Sequence, residues 1–346
     1  MHSAFLLAAG FGTRMRPLTA HRAKPLVPIV GRPLLDQSVE LLRRNGFKSA
    51  VMNVHHLPEG LIEWAKGQEF PIEISHETPE ILGTGGGLRF ALHRLDDRFV
   101  VVNGDILCDV NLRGLIEALP TSGAGATMAL RQAPDGERYG VVASDEAGRV
   151  VDLVGLAACE AQGEVDRSTH FTGIHALTRG AVELLPEEGF SCIVRASYVK
   201  MVPNGEVQGR RHSGIWEDAG DPRSYLAANL GVLRGEISPP LDTLPLAGWC
   251  RANGREFGSR EAINAAESAT FEEPFWIGRG ASIGERVRVG PESIIGEDAH
   301  IGEGCSLERS VVWDRCELPA GERCEETIVH DGGALHLLDR AEPEGA

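Results

Sequence analysis

From residue 277 onward an aliphatic residue followed by glycine returns every six positions: Ile277-Gly278, Ile283-Gly284, Val289-Gly290, Ile295-Gly296 and Ile301-Gly302. Hexapeptide periodicity is the signature of a β-helix, in which one aliphatic side chain per short strand points inward and small residues make the corners. Leu307 and Trp313 continue the apolar position without the glycine. Residues 271–330 are therefore expected to form a short C-terminal left-handed β-helix. At three hexads per coil the seven hexads from Ile277 to Trp313 make only about two coils, which suits a cap or an oligomer contact better than a deep groove of its own. The preceding residues 237–270 contain Pro239, Pro240 and Pro245 with no sustained period, and read as a connector with at most a short helix. Residues 331–346 read as a polar tail.

Upstream, over residues 1–236, apolar runs alternate with helical stretches, the pattern of an α/β domain. The expected fold is a Rossmann-like, mostly parallel sheet with helices on both faces. A helix over 34–45 should end at Gly46, a left-handed cap position, and strands are expected at 49–54 and 98–102. The second of these runs into Asn103-Gly104-Asp105. Ligands gather at the carboxyl ends of strands in such sheets, so a carboxylate in that position is well placed for function.

The first strand, Ala4 to Ala9, leads into Gly10-Phe11-Gly12-Thr13, followed by Arg14 and, ten residues on, Lys24. The glycines let the backbone turn so that successive N–H groups face phosphate oxygens, and Arg14 and Lys24 add full positive charge. A dinucleotide fingerprint would need glycine at Met15, and a Walker A loop would need Lys-Ser/Thr after its last glycine, where Thr13-Arg14 stand instead. An ordinary strand-to-helix turn explains the glycines but not the dense Arg14, Arg16 and Lys24 or the stiff Pro17, Pro25, Pro28, Pro33 series. The arrangement describes a pocket for a nucleoside triphosphate.

The GxGTRxxPLT run followed by KPLxP resembles the signature of the sugar-1-phosphate nucleotidyltransferases, the nucleotide-sugar pyrophosphorylases, over about the first 235 residues. The likeness is greatest to mannose-1-phosphate guanylyltransferases and their heptose- and muramate-phosphate relatives. The resemblance implies transfer of a nucleotidyl group from an NTP to a sugar 1-phosphate with release of pyrophosphate, with GTP and mannose 1-phosphate as first choice. UTP or dTTP with a heptose, muramate or glucose 1-phosphate is the alternative. It assigns Arg14 to the triphosphate and Lys24 to the phosphates near the α-phosphorus as catalytic residues. It assigns Asp105 and Asp218, the latter in a W-x-D-x-G-x-P segment, to Mg2+, a hard cation that two carboxylates, phosphate oxygens and water suit. Asp221, followed by Pro222, reads instead as a helix N-cap.

Nucleotide contacts are expected from Ala8, Ala9, Gly10, Gly12, Thr13 and Gly104, and from a second glycine cluster at Gly83, Thr84 and Gly85 that lies against the nucleobase in the family. Glu77 or Glu80, just before that cluster, could accept from a guanine amino edge or simply be exposed. Phe171-Thr172-Gly173-Ile174 resembles the segment beside the sugar, with Gly173 as the contact. The Glu-Lys-Pro triplet that many members carry before it is absent, replaced by Val151-Asp152-Leu153-Val154-Gly155. His55 and His56 are read as loop histidines rather than catalytic groups.

Composition narrows the rest. A net charge of −16, from 34 basic against 50 acidic residues, argues against a nucleic-acid surface. No stretch approaches the ~18 consecutive apolar residues of a membrane span. The seven cysteines are scattered and never in a C-x-x-C pair, so neither a disulfide framework nor a zinc site is indicated. The amino terminus lacks a basic leading segment and runs straight into the glycine loop, and a cytoplasmic, homo-oligomeric enzyme is expected. Two rivals stand beside it. One is a catalytically silent regulator that binds a nucleotide sugar, against which the complete Arg14, Lys24, Asp105 and Asp218 set speaks. The other is an acyltransferase working on the hexapeptide module, with His300 as its base.

Overall fold

The computed structural model describes residues 3–119, 125–133, 139–240 and 248–338. Residues 241–247 of the expected connector and 339–346 of the expected tail lie outside the described residues. The chain divides into two compact units. One comprises Met1–Phe11, Ser38–Gly104 and Cys108–Trp216; the other comprises Gly12–Gln37, Asp105–Leu107 and Glu217–Ala346.

In the first unit, strand β1 (Ser3–Leu7) lies between β2 (Ala50–Val54) and β4 (Arg98–Asn103), and β3 (Ile72–His76) extends the sheet beyond β2. All four strands are parallel. Ala4, Phe5 and Leu6 are fully buried, which is why β1 reads as an unbroken apolar run rather than an alternation. Leu7 stands level with Asn53 and with Asn103, so the chain leaves β1 and β4 at the same, carboxyl, end of the parallel strands. Past β4 the sheet turns antiparallel: β7 (Val165–Thr178) pairs with β4, β5 (Ala126–Gln132) and β6 (Val141–Asp145). The expected Rossmann-like α/β class is present, and its parallel half carries the glycine loop.

Helix α1 (Leu34–Arg44) ends as its sequence indicates. Gly46 adopts φ 81, its N–H reaches Arg43 O at 2.9 Å and Phe47 N–H reaches Leu42 O at 3.0 Å, a glycine cap that satisfies the last carbonyls. Helices α2 (Pro58–Lys66) and α3 (Gly83–Ala91) follow β2 and β3.

In the second unit the hexads wind into three parallel sheets of a left-handed β-helix. One face stacks Asn264–Ala265, Ser282–Ile283, His300–Ile301 and Glu317–Leu318. The next stacks Thr270–Phe271, Arg288–Val289, Ser306–Glu308 and Arg323–Glu325. The third stacks Phe275–Gly278, Ser293–Ile295, Val311–Val312 and Thr327–His330. Each face carries four strands, so there are four coils where the hexads alone suggested about two. The coil beginning at Asn264 starts inside the stretch read as a connector and carries an Ile-Gly pair only on its last strand, at Ile277-Gly278; pairing with the coil beyond reveals its first two strands. That stretch also holds a hairpin, Gly248–Ala252 with Arg255–Gly258, whose first strand pairs antiparallel with Phe275–Gly278.

The corner glycines have a steric cause. A Cβ on Gly278 would lie 2.5 Å from Glu297 N, and one on Gly302 would lie 2.5 Å from Ala320 N, both backbone atoms of the next coil. Ile295 pairs with Val312, not Trp313, because that coil is one residue shorter. The inward position expected of Trp313 belongs to Val312, and Trp313 occupies the corner where Gly278 and Gly296 stand in earlier coils. Among the described residues no helix is long and apolar enough to cross a membrane.

Candidate active site

Four of the expected site residues meet within the second unit. Lys24 opens a short 3-10 turn, Lys24–Leu26, whose Pro25 sets the backbone just inside its start. Its side chain is only 7% exposed, with Nζ 2.7 Å from Asp105 Oδ2 and 3.6 Å from Asp218 Oδ1. Arg14, 66% exposed, brings a guanidinium nitrogen to 4.0 Å from Asp218 Oδ2. The strand after Asp105, Ile106–Cys108, pairs with the strand Trp216–Asp218, which brings positions more than a hundred residues apart to one place.

Glycine is required at two points of this cluster. Gly12 holds φ 60, and a Cβ there would lie 3.0 Å from Lys24 Cβ and 3.2 Å from Thr19 Cγ2. The Thr19 hydroxyl donates to Gly12 O at 2.8 Å and keeps the turn closed. A Cβ on Gly220 would lie 2.8 Å from Asp218 Oδ2, so a side chain there would displace the carboxylate. Asp221 is the N-cap of the helix Pro222–Leu233 and accepts from Ser224 N–H at 2.9 Å, as its place before proline indicated.

One buried lysine between two carboxylates and one exposed arginine sum to no net charge, which is too little to receive two polyanions. A divalent cation is the natural complement. The donors suit magnesium: two hard carboxylates converge, and among the described residues no third His, Cys, Asp or Glu joins them to make a protein cage.

In the first unit, a buried strut ties the end of β1 to the second glycine cluster. Ala8 N–H donates to Asn53 Oδ1 at 2.8 Å, Asn53 Nδ2 donates to Glu77 Oε1 at 2.7 Å, and Leu82 N–H donates to Glu77 Oε2 at 2.7 Å. Both oxygens of Glu77 are thus engaged and the residue is buried. This corrects the reading of Glu77 as a carboxylate offered to a base edge; Glu80 is exposed. Asn53 was missed as a site residue. Its signal was a lone amide inside an apolar strand, where a polar side chain needs a specific partner. Replacing Asn53 by Asp removes the donor and sets a carboxylate against Glu77. The melting temperature should fall by about 6–10 °C, roughly 3 kcal/mol. The deficit should shrink toward pH 5, because two carboxylates sharing a site raise one pKa and a proton taken up there restores a donor. Thermal scans at pH 5 and pH 8 check both; an equal deficit at the two values would rule the strut out.

Around the cluster, Gly83 takes φ 72 at the start of α3. Gly85 N–H is given to Ser191 O at 2.8 Å, and the exposed Thr84 accepts from Ile193 N–H at 3.2 Å. Gly104 N–H is likewise given to Leu7 O at 2.9 Å. The N–H groups of Gly85 and Gly104 are thus engaged within the protein, and a Cβ on Gly85 would lie 2.7 Å from Ser191 Oγ, so the bare backbone of this buried glycine accommodates the Ser191 segment. Ala8 and Ala9 are buried, whereas Gly10 is exposed with no atom within 4 Å of a Cβ placed on it. Thr13 is exposed in the second unit.

Gly173 adopts φ 82 where β7 bulges against β5 between Phe171 and His175. Thr172 beside it is tied down, its hydroxyl donating to Ala129 O at 2.9 Å and its carbonyl accepting from Trp216 Nε1 at 2.9 Å. His175 is no acid–base candidate, because burial pushes its pKa down to about 3. His55 bonds Glu77 O at 2.9 Å through Nδ1, and the Phe11 ring lies edge-on to it, in keeping with a satisfied loop histidine.

Residues 3–235 match the family model described as nucleotidyl transferase. The chain is 29% identical over 350 residues to the UTP–glucose-1-phosphate uridylyltransferase of Synechocystis sp., covering 94% of this chain and 86% of that protein. It is 26% identical over 332 residues to mannose-1-phosphate guanylyltransferase 1 of Arabidopsis thaliana, covering 93% and 82%. To the mannose-1-phosphate guanylyltransferase of Mycobacterium tuberculosis it is 25% identical over 311 residues, covering 88% and 83%. Among solved structures, HddC from Yersinia pseudotuberculosis superposes with a TM-score of 0.55 at 24% identity, over 66% of this chain and 98% of that one. That last likeness concerns the fold.

Proposed function

Because the chain belongs to the nucleotidyl transferase family, we propose that it joins a nucleoside monophosphate from an NTP to a sugar 1-phosphate, releasing pyrophosphate, with GTP and mannose 1-phosphate as its substrates. The observation that carries this reading is Lys24, held 2.7 Å from Asp105 and 3.6 Å from Asp218 with Arg14 beside it. The guanylyltransferases of Arabidopsis and Mycobacterium support the choice of substrates. The uridylyltransferase of Synechocystis favours a second reading, UTP with glucose 1-phosphate.

A phosphate oxygen of the sugar phosphate must attack the α-phosphorus while pyrophosphate leaves in line. Two like unit charges ~4 Å apart cost about 4 kcal/mol at an effective dielectric of 20, so the protein's task is neutralisation and alignment. Asp105 and Asp218 would hold magnesium, which when bound supplies positive charge to the phosphate oxygens. Lys24 places its charge beside those carboxylates, toward the α-phosphorus and the incoming phosphate. Arg14 reaches outward with a planar fork for two oxygens of the leaving pyrophosphate. Gly10, Gly12 and Thr13 bring the backbone close to the phosphates, the turn at Gly83, Thr84 and Gly85 is assigned to the base by family likeness, and Gly173 to the sugar.

Pyrophosphate release measured for GTP, UTP, dTTP, CTP and ATP, each with mannose-, glucose-, heptose- and muramate-type 1-phosphates, tests the reading. Turnover should be greatest with GTP and mannose 1-phosphate, a preference for UTP with glucose 1-phosphate selects the second reading, and no release with any pair sinks both. Arg14→Lys keeps the charge but loses the fork. It should lower kcat/KM for the triphosphate by about tenfold to a hundredfold, corresponding to about 1.5–3 kcal/mol. Initial rates against NTP concentration check this, and a wild-type value would remove the bidentate role.

A further inference from the structure

The β-helix meets the Lys24 segment at the point where its own repeat is broken. Trp313 stands at a corner that glycine fills in earlier coils, and it is buried. Its Nε1 donates to Tyr225 Oη at 2.9 Å, and the Tyr225 hydroxyl in turn donates to Pro28 O at 2.6 Å. Tyr225 is wholly buried on the helix Pro222–Leu233. One turn further along that helix, Asn229 Oδ1 accepts from Val30 N–H at 2.9 Å. Gly31, at φ 74, lies so close to the indole of Trp276 that a Cβ would sit 2.3 Å from Cη2.

The other side of Lys24 is tied as well. The Arg22 guanidinium lies 4.5 Å from the Trp313 ring centroid and donates through Nε and a terminal nitrogen to the two oxygens of Asp331, at 3.0 and 2.9 Å. Lys24 therefore sits between two anchors, Arg22 and Pro28, that both lead to Trp313. Within the bracket, Val27 N–H closes the Lys24 turn onto Lys24 O at 3.1 Å. A side chain that must hold its charge beside Asp105 and Asp218 has its backbone fixed from the β-helix, not only by its own loop.

We propose that Tyr225 and Trp313 are positioning residues for Lys24, so that the hexapeptide module is a working part of the nucleotidyl-transfer site. The consequence for catalysis rests on the function proposed above; the bracket itself does not. A group held in a reactive geometry loses rate steeply when its support loosens, whereas substrate contacts elsewhere are left alone. Tyr225→Phe leaves Pro28 O and Trp313 Nε1 without the shared hydroxyl, and Trp313→Phe removes the indole donor while keeping an aromatic ring. Ile295→Val, in the β-helix core, is the control for a general loss of packing.

The test combines two readouts on the full-length protein. Acetylation of lysines by an N-hydroxysuccinimide ester, followed by mass spectrometry, reports the accessibility of Lys24 against the 69% exposed Lys66. Initial rates report kcat and KM with the substrate pair that turns over best. Both aromatic variants should raise the Lys24-to-Lys66 labelling ratio by about fivefold and lower kcat by about tenfold with KM nearly unchanged, and Ile295→Val should do neither. An unchanged labelling ratio in both variants overturns the proposal. So does an equal rise in Ile295→Val, or a loss expressed only in KM. A wild-type protein without turnover would defeat the functional reading, yet the labelling ratio would still decide the bracket.

Discussion

Asp105→Ala should reduce magnesium-dependent pyrophosphate release by about a thousandfold or more, equivalent to about 4 kcal/mol of transition-state stabilisation, while the protein stays folded. The expectation follows from where the carboxylate stands. Asp105 is partly exposed at the end of β4 and contacts Lys24 Nζ at 2.7 Å. It buries no apolar surface whose loss would open a cavity. Lys24 keeps a second partner in Asp218 at 3.6 Å, so truncation does not strand a buried charge, the usual route to a large destabilisation. A magnesium titration of turnover, read beside a thermal scan, separates the two outcomes. Substantial turnover in a folded Asp105→Ala protein would remove the metal assignment and with it the account of how two polyanions meet.

Lys24→Gln should produce two opposite effects. Turnover should fall by about a hundredfold to a thousandfold, because the proposed function sets this compact charge beside the α-phosphorus, where the surroundings hold little other cationic charge. Divalent-cation binding to the nucleotide-free protein should instead tighten, by about tenfold. In the wild type Lys24 neutralises the same two carboxylates that a metal ion would take, at 2.7 and 3.6 Å, and so competes with it. Without the lysine the pair is left mutually repelling, and the variant should gain more thermal stability from added magnesium than the wild type does. Manganese titration followed by electron paramagnetic resonance measures the affinity directly. A weaker or unchanged affinity would show that Lys24 and a metal ion do not share those carboxylates.

Much of this arrangement was legible in the sequence because it is local. The glycine turn after β1, the proline-stiffened Lys24 turn, the N-cap at Asp221 and the Gly46 cap depend on backbone preferences expressed within a few residues. The hexads announced a β-helix for the same reason. Motif likeness named Asp105 and Asp218, but their meeting rests on the pairing of Ile106–Cys108 with Trp216–Asp218.

Other features were hidden by sequence distance. Glu77 could be read as available to a base because it stands just before the second glycine cluster, yet Asn53 and Leu82 N–H occupy both of its oxygens. The coil beginning at Asn264 carries no Ile-Gly pair on its first two strands, and only their parallel pairing with Ser282–Ile283 and Arg288–Val289 makes them part of the β-helix. Trp313 read as one more inward apolar position, whereas a coil shorter by one residue turns it to a corner facing Tyr225.

By itself the sequence determined which backbone shapes form and what kinds of charge the chain carries, since steric limits and side-chain chemistry act residue by residue. Only the tertiary structure decided which polar atoms are already engaged and which remain for chemistry. A hydrogen bond or ion pair between residues tens to hundreds of positions apart depends on where the whole chain places both partners, and no local preference encodes that.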